Sequence, residues 1–306
     1  MLQRRSRIHR TRTGKSLALT PRDLEIFRTL CRYRFLRSIY LHAFVGGESE
    51  KRFKERLGDL FHEGYLDRPD EQWRFADSRC LPVVHELGKG GREALMAATM
   101  PESEAITWLR DGPHRQFEHS LMTCEVLASI ELEIRERSDL RMIGWPEILS
   151  KAPESTRRSG KPYQLSAGDG LASVVPDAIF GIEYRRDGRK AYRFFAAEAD
   201  RGTMPIVRTD KRQTSLVAKL AAYREAISRG SHQAHWGIPN LLVLVITLSS
   251  SHLEKLLKSV AGVDGGNPAI LFKSVAATEL PAGPSSSFLL EPWDRTGYPP
   301  LVINAP

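Results

Sequence analysis

The chain has 306 residues, enough for a sizeable core and two domains, with 41% apolar and 27% charged residues, as in ordinary globular proteins. Its longest apolar run, residues 241–248, is far short of the ~20 residues of a membrane span, and no apolar core follows the basic N-terminus, so neither a membrane protein nor a secretory signal is expected. Cys31, Cys80 and Cys124 form no Cys-x-x-Cys pattern, which argues against a disulfide framework or structural zinc and suits a reducing cytoplasm.

The net charge of +8 is uneven: residues 1–100 hold 20 Lys and Arg against 13 Asp and Glu, and the remainder 25 against 24. The excess is an N-terminal property, the pattern of a nucleic-acid footprint. Residues 1–16 carry Arg4, Arg5, Arg7, Arg10, Arg12 and Lys15 with no acid, and read as a disordered basic arm. Such an arm lies along phosphates or enters a minor groove; the alternative is a solubilising tail.

Residues 17–97 read as one domain. Thr20 is a good N-cap and Pro21 a good first helical residue, and Leu24, Phe27, Leu30 and Cys31 recur at helical spacing. A second helix is expected over 36–44. A third, over 49–63, has an apolar stripe of Phe53, Leu57, Leu60 and Phe61, with Arg52, Lys54 and Arg56 exposed. A short strand at 65–68, a polar loop at 69–78 and a return strand at 82–87 follow. Three short helices and then a hairpin is the order of a winged helix-turn-helix. The third helix would enter the major groove, and Arg68, Arg74 and Arg79 would touch the DNA backbone. The same order serves a protein-interaction module.

Gly88, Gly90 and Gly91 are not followed by the Lys-Ser/Thr of a phosphate loop and read as a turn into a short helix. Residues 98–113 form a connector to a second domain, 114–280. A long amphipathic helix is expected over 114–137, a strand bent at Pro146 over 141–149, and a polar loop over 150–170. Further helices are expected over 210–229 and 252–260, strands over 240–247 and 269–275, and a Pro- and Ser-rich surface tail over 281–306.

Between the polar loop and the helix at 210–229 stand two apolar runs that suit paired strands, turning near Asp187-Gly188. The first carries Asp177; the second carries Glu198 and Asp200, which must share a face because they are two apart. Three converging carboxylates repel each other unless a cation neutralises them or some are protonated, and the arrangement points to Mg²⁺ or Mn²⁺. The alternative is a structural ion network with Arg201, Lys219 or Arg224. His232 and His235 lack further ligands and read as a loop. His119 reads as a core residue or else a contributor to the site, Glu125 and Glu131 as helix-borne acids that are either site members or solvated, and Ser249-Ser250-Ser251 shows no nucleophile context.

This element order, with Pro176-Asp177 on one strand and Glu198-x-Asp200 on the next, resembles the PD-(D/E)XK restriction-endonuclease-like superfamily. The resemblance implies that Asp177 and Glu198 hold the metal and that a Lys two residues after the Glu positions the attacking water. Here Asp200 stands in that place, so Lys211 or Lys219 would supply the cation. Leu19-Thr20-Pro21-Arg22-Asp23, Tyr33-Arg34-Phe35-Leu36, Gly64-Tyr65-Leu66-Asp67-Arg68, His119, Glu198-Ala199-Asp200-Arg201-Gly202-Thr203 and Lys219-Leu220-x-x-Tyr223 together resemble the replication-relaxation family of bacterial plasmids and mobile elements.

The expectation is a mixed α/β protein with an N-terminal winged helix-turn-helix and a C-terminal restriction-endonuclease-like α/β domain. Its leading function is mobile-element DNA binding in replication, relaxation or transcriptional control. The alternative is a Mg²⁺- or Mn²⁺-dependent nickase using Asp177, Glu198, Asp200 and Lys219. The partner expected is double-stranded DNA, with no membrane; a homodimer and a monomer stand as alternatives.

Overall fold

The computed structural model describes residues 5–14, 16–74, 78–98, 117–168, 172–202, 215–264 and 266–306. The protein is mixed α/β and divides into two compact units, residues 1–128 with 280–284, and residues 129–279 with 285–306. Among the described residues no helix is long and apolar enough to cross a membrane.

The first unit begins with α1 (Pro21–Tyr33), β1 (Leu36–Arg37), α2 (Ser38–Val45) and α3 (Glu50–His62). It continues with β2 (Leu66–Asp67), a 3-10 turn (Asp70–Arg74), β3 (Val84–Leu87) and α4 (Lys89–Ala97). The three strands form an antiparallel sheet in the order β1-β3-β2, with Leu36 opposite His85 and Leu66 opposite Leu87. The strand β1 takes the first two residues expected for the second helix, because they pair with β3 before the chain turns.

The start of α1 is held at several points. Thr20 and Asp23 form a reciprocal capping box, and Arg56 of α3 binds the buried Asp23 carboxylate at 2.6 Å. Burial pushes the Asp23 carboxyl up, but the Arg56 guanidinium and the Thr20 donors outweigh it and hold it below the usual carboxylate range. The long helix α5 (Phe117–Arg135) starts in this unit, where Cys124 Sγ donates to Tyr33 O at 2.7 Å and burial raises the thiol pKa to about 12. The Tyr40 hydroxyl ties residues 280–284 to the unit through Leu280 O at 3.0 Å and Gly283 O at 2.9 Å.

The second unit contains β4 (Leu140–Ile143), α6 (Trp145–Lys151), α7 (Glu154–Arg157), β5 (Ala178–Arg186), β6 (Arg189–Asp200), α8 (Leu216–Ser228), α9 (Ser231–Trp236), β7 (Leu242–Thr247), α10 (Ser250–Asp264) and β8 (Ile270–Ser274). The short helices α11 (Glu279–Ala282) and α12 (Ser287–Leu290) precede its last strands, β9 (Trp293–Arg295) and β10 (Tyr298–Leu301). Its sheet has the order β10-β9-β8-β7-β6-β5-β4. The hairpin β5–β6 turns at Asp187-Gly188, both at positive φ (50° and 72°), and β6, β7 and β8 are parallel. Buried Phe180, Phe195, Leu244, Val245 and Phe272 occupy the sheet's centre.

Three expectations are corrected by the fold. Residues 141–149 do not form one bent strand: Pro146 sits in the first turn of α6, where its missing N–H costs nothing, and Trp145 and Ile148 bury one face. His232 and His235 lie on α9, bounded by left-handed Gly230 and Gly237, and not in a loop. The C-terminal residues extend the sheet as β9 and β10, with Phe288, Leu289, Trp293 and Ile303 buried and Tyr184 Oη donating to Ile303 O at 2.7 Å. Their apolar residues outweigh the proline and serine signal because the edge of β8 leaves backbone groups to be paired.

Removing the Asp23 carboxylate leaves Arg56 and the α1 terminus without their partner. Asp23→Ala is expected to cost the first unit about 3 kcal/mol, read from urea unfolding at neutral pH. The wild-type contribution is full above the ordinary carboxylate range and lost as pH falls through the depressed Asp23 pKa. A variant as stable as wild type at both pH 7 and pH 2 (about the two ends of that window) would remove Asp23 from the account.

Candidate functional site

The acidic cluster is built by the β5–β6 register. Ala178 faces Ala197, and Asp177 N donates to Ala197 O at 3.1 Å, which sets Asp177 beside Glu198. The Asp177 carboxylate accepts from Ala199 N at 2.9 Å, closing the start of β5 onto the end of β6. Glu198 and Asp200 share a face of β6, and both are buried, at 3% and 6% exposure.

Helix α8 answers Glu198. Ser215 caps the helix through Ala218 N at 3.2 Å, and Lys219 and Tyr223, four apart and so on one side, reach the carboxylate together. Lys219 Nζ donates to Glu198 Oε2 at 2.5 Å and the fully buried Tyr223 hydroxyl to Oε1 at 2.5 Å. Burial and the neighbouring Asp177 push the Glu198 pKa up to about 8, against the opposing pull of Lys219 and Tyr223. Burial lowers and the two carboxylates raise Lys219, with a net rise, and Tyr223 is raised well above an ordinary phenol by burial and Glu198.

Asp200 faces other partners. Its Oδ1 accepts from Gly202 N at 2.9 Å, where φ is +73°, and its Oδ2 accepts from His252 Nε2 at 2.6 Å. His252 stands in the first turn of α10, just past the end of β7, so the Asp200–His252 pair lies at the carboxyl edge of the parallel strands. Edges of this kind commonly collect ligand-binding groups in α/β sheets.

The structure thus brings Asp177, Glu198 and Lys219 together and turns Asp200 toward a histidine. As a cage for Mg²⁺ or Mn²⁺ these residues do not fit as they stand. Both Glu198 oxygens and both Asp200 oxygens already accept from protein donors, and Lys219 occupies the cation position. Among the described residues no three His, Cys, Asp or Glu side chains gather closely enough to hold one ion. Lys211 lies outside the described residues. Glu125 is held by Arg37 in the first unit, with its pKa pushed up to about 7 by burial against that guanidinium, and Glu131 is held by Arg135 at 2.8 Å.

The basic candidates of the first unit divide by occupation. Arg52 and Arg74 are exposed, and Lys54 is exposed with a 2.7 Å pair to Glu50. Arg56 is committed to Asp23. Arg5 pairs with Asp59, Arg7 donates to the carbonyls of Arg79 and Leu81, and Arg10 reaches Phe61 O and Leu66 O, so the described part of the basic arm lies against α3 and β2. Arg68 stacks on Phe61 at 4.1 Å and donates to Arg7 O at 2.7 Å. Arg4 lies outside the described residues.

Two side chains that meet the acids are given no role by the sequence reading. Tyr223 enters only through the Lys219-Leu220-x-x-Tyr223 resemblance, and its spacing of four from Lys219 was the available signal. His252 is 52 residues from Asp200 and carries no local signal at all.

Lys219→Met should destabilise the second unit by about 3 kcal/mol at pH 9 and by far less at pH 5 (roughly the two sides of the Glu198 titration). A carboxyl whose folded pKa is raised is comfortable at low pH and loses stability as pH rises through about 8, more steeply without Lys219. Urea unfolding at the two pH values reads this directly, and equal losses at both would contradict the pairing.

A family model described as replication-relaxation matches residues 27–242. No curated protein and no solved structure matches the chain. The family match covers more than two-thirds of the 306 residues and takes in α2 and α3 of the first unit with Glu198, Asp200, Lys219 and Tyr223 of the second. The chain belongs to the replication-relaxation family.

Proposed function

We propose that this chain is a DNA-binding protein of a bacterial plasmid or other mobile element, acting in replication, relaxation or transcriptional control. The observation that carries the reading is α3. Its inner stripe of Phe53, Leu57, Leu60 and Phe61 is buried, while Lys51, Arg52 and Lys54 stand exposed on its outer side. The helix follows two others and precedes the β2–β3 hairpin, the order of a winged helix-turn-helix. In that arrangement α3 enters the major groove, and exposed Arg74 and Arg79 lie on the segment between the hairpin strands, beside the DNA backbone. The family description and the net positive charge of the first 100 residues support the same reading. The second unit is read as a degenerate endonuclease-like domain, because its acids are satisfied by Lys219, Tyr223 and His252.

Arg52→Ala or Lys54→Ala should weaken duplex binding and flatten its salt dependence by roughly one unit of log–log slope for each phosphate no longer neutralised. A salt titration superimposable on wild type would remove α3 from the interface.

A second reading, a Mg²⁺- or Mn²⁺-dependent nickase, is favoured by the convergence of Asp177, Glu198 and Lys219. It requires Glu198 and Asp200 to leave their present donors. Supercoiled plasmid incubated with either metal distinguishes the two: nicking by wild type that Glu198→Ala and Asp200→Ala both lose selects the enzyme. Intact plasmid that is nonetheless bound selects the DNA-binding protein.

A further inference from the structure

A groove of about 900 Å³ opens in the first unit between α3 and the chain entering β3. That volume is within the roughly 300–1,000 Å³ of ordinary ligand pockets. Five cations line it, Arg5, Arg7, Lys51, Lys54 and Arg68, against the carboxylates of Glu50 and Glu55, and Glu50 is already paired with Lys54.

Two of the lining side chains are left unsatisfied. Arg68 is mostly buried against Phe61, and its Nε finds no hydrogen-bond acceptor. Burial and the positive charges of Arg7 and Arg5 lower its pKa to about 10, and no carboxylate acts on it. The adjacent acids Asp59 and Asp67 are spent on Arg5 and Arg10. His85, on β3, is 1% exposed, lines the groove, and has an Nδ1 without a partner. Burial first, then Arg68 and Arg7, hold it well below the ordinary imidazole range, so it is neutral.

A largely buried cation whose neighbouring acids are paired with other arginines, beside a buried imidazole with an unfilled Nδ1, costs stability that a methionine and a leucine would not. An unpaired buried group in a native fold calls for a partner, and a bound ion or ligand is one that supplies it. The missing partner must be anionic, to offset three crowded guanidiniums, and must accept hydrogen bonds from a planar donor, which is the chemistry of a phosphate oxygen facing arginine.

We propose that this groove seats a phosphate ester, with Arg68 as the cation it neutralises and His85 as the neutral hydrogen-bonding group at its floor. The phosphate comes either from the backbone of a bound DNA strand, in which case the site deepens and rests on the DNA-binding reading, or from a free nucleotide.

The test compares full-length wild type, Arg68→Met and His85→Leu. Thermal unfolding is followed with and without dAMP, and a labelled duplex is titrated by anisotropy across a salt series. Both variants should unfold at or above the wild-type temperature in the absence of ligand. Both should also lose roughly tenfold in affinity, about 1.4 kcal/mol, for the ligand that uses the groove. Loss confined to the duplex assigns a backbone phosphodiester; a dAMP-induced rise in unfolding temperature present only in wild type assigns a free nucleotide.

Variants that bind both probes as wild type does, or that unfold early with binding unchanged, overturn the groove. If Arg52→Ala weakens duplex binding while Arg68→Met and His85→Leu bind both probes normally, the groove fails and the DNA reading stands. A wild type stabilised by dAMP, with the variants not, but indifferent to duplex leaves the groove and removes the DNA reading.

Discussion

The antiparallel register of β5 against β6 is the constraint on which the second unit depends. Ala178 opposite Ala197 fixes the face on which every later β6 side chain emerges, because strand periodicity is two. Slipping by one residue would drive Glu198 and Asp200 to the face now taken by Ala197 and Ala199, away from Lys219, Tyr223 and His252. Each buried carboxylate would then lose its donors, at a cost of several kcal/mol apiece. The apolar runs make the hairpin favourable, and the two acids make its register unique.

That division explains what could be read from the amino-acid order. The hairpin was legible because Phe194-Phe195-Ala196-Ala197 is apolar over a strand's length and Asp187-Gly188 suits a turn at positive φ. The length of α5 and the core stripe of α3 followed from helical periodicity. The strand β4 and helix α6 were misread as one strand because Pro146 has two meanings, a strand's bend or a helix's first turn, and only the burial of Trp145 and Ile148 decides between them. Residues 281–306 carried a composition that suggests irregular chain, while their sheet pairing depends on β8, which lies outside that segment.

The site was legible in part for the same reason. Asp177, Glu198 and Asp200 come from one hairpin, so local spacing placed them on neighbouring strands. What each carboxylate does is decided by residues from other elements: α8 for Glu198 and α10 for Asp200. The convergence of three acids on one cation was therefore the simplest expectation, and in the structure Glu198 and Asp200 each have protein donors of their own. Glu198 takes an ammonium and a phenol, and Asp200 takes a backbone amide and an imidazole.

The acid cluster of the second unit and the basic groove of the first settle their buried charges differently. In the second unit, Asp177, Glu198 and Asp200 accept bonds from protein donors, and Glu183, buried at 2% exposure, gathers Arg141, Arg185 and Lys190. In the first, Asp23 and Glu125 are likewise matched, yet Arg68 and His85 are left with unfilled valences inside a basic groove. Self-consistent folds remove such conflicts where nothing external resolves them. These two unfilled groups sit beside the basic side of α3. The groove of the first unit therefore carries the charge and the open donors to take an anion, while Glu198 and Asp200 already accept from donors of the chain.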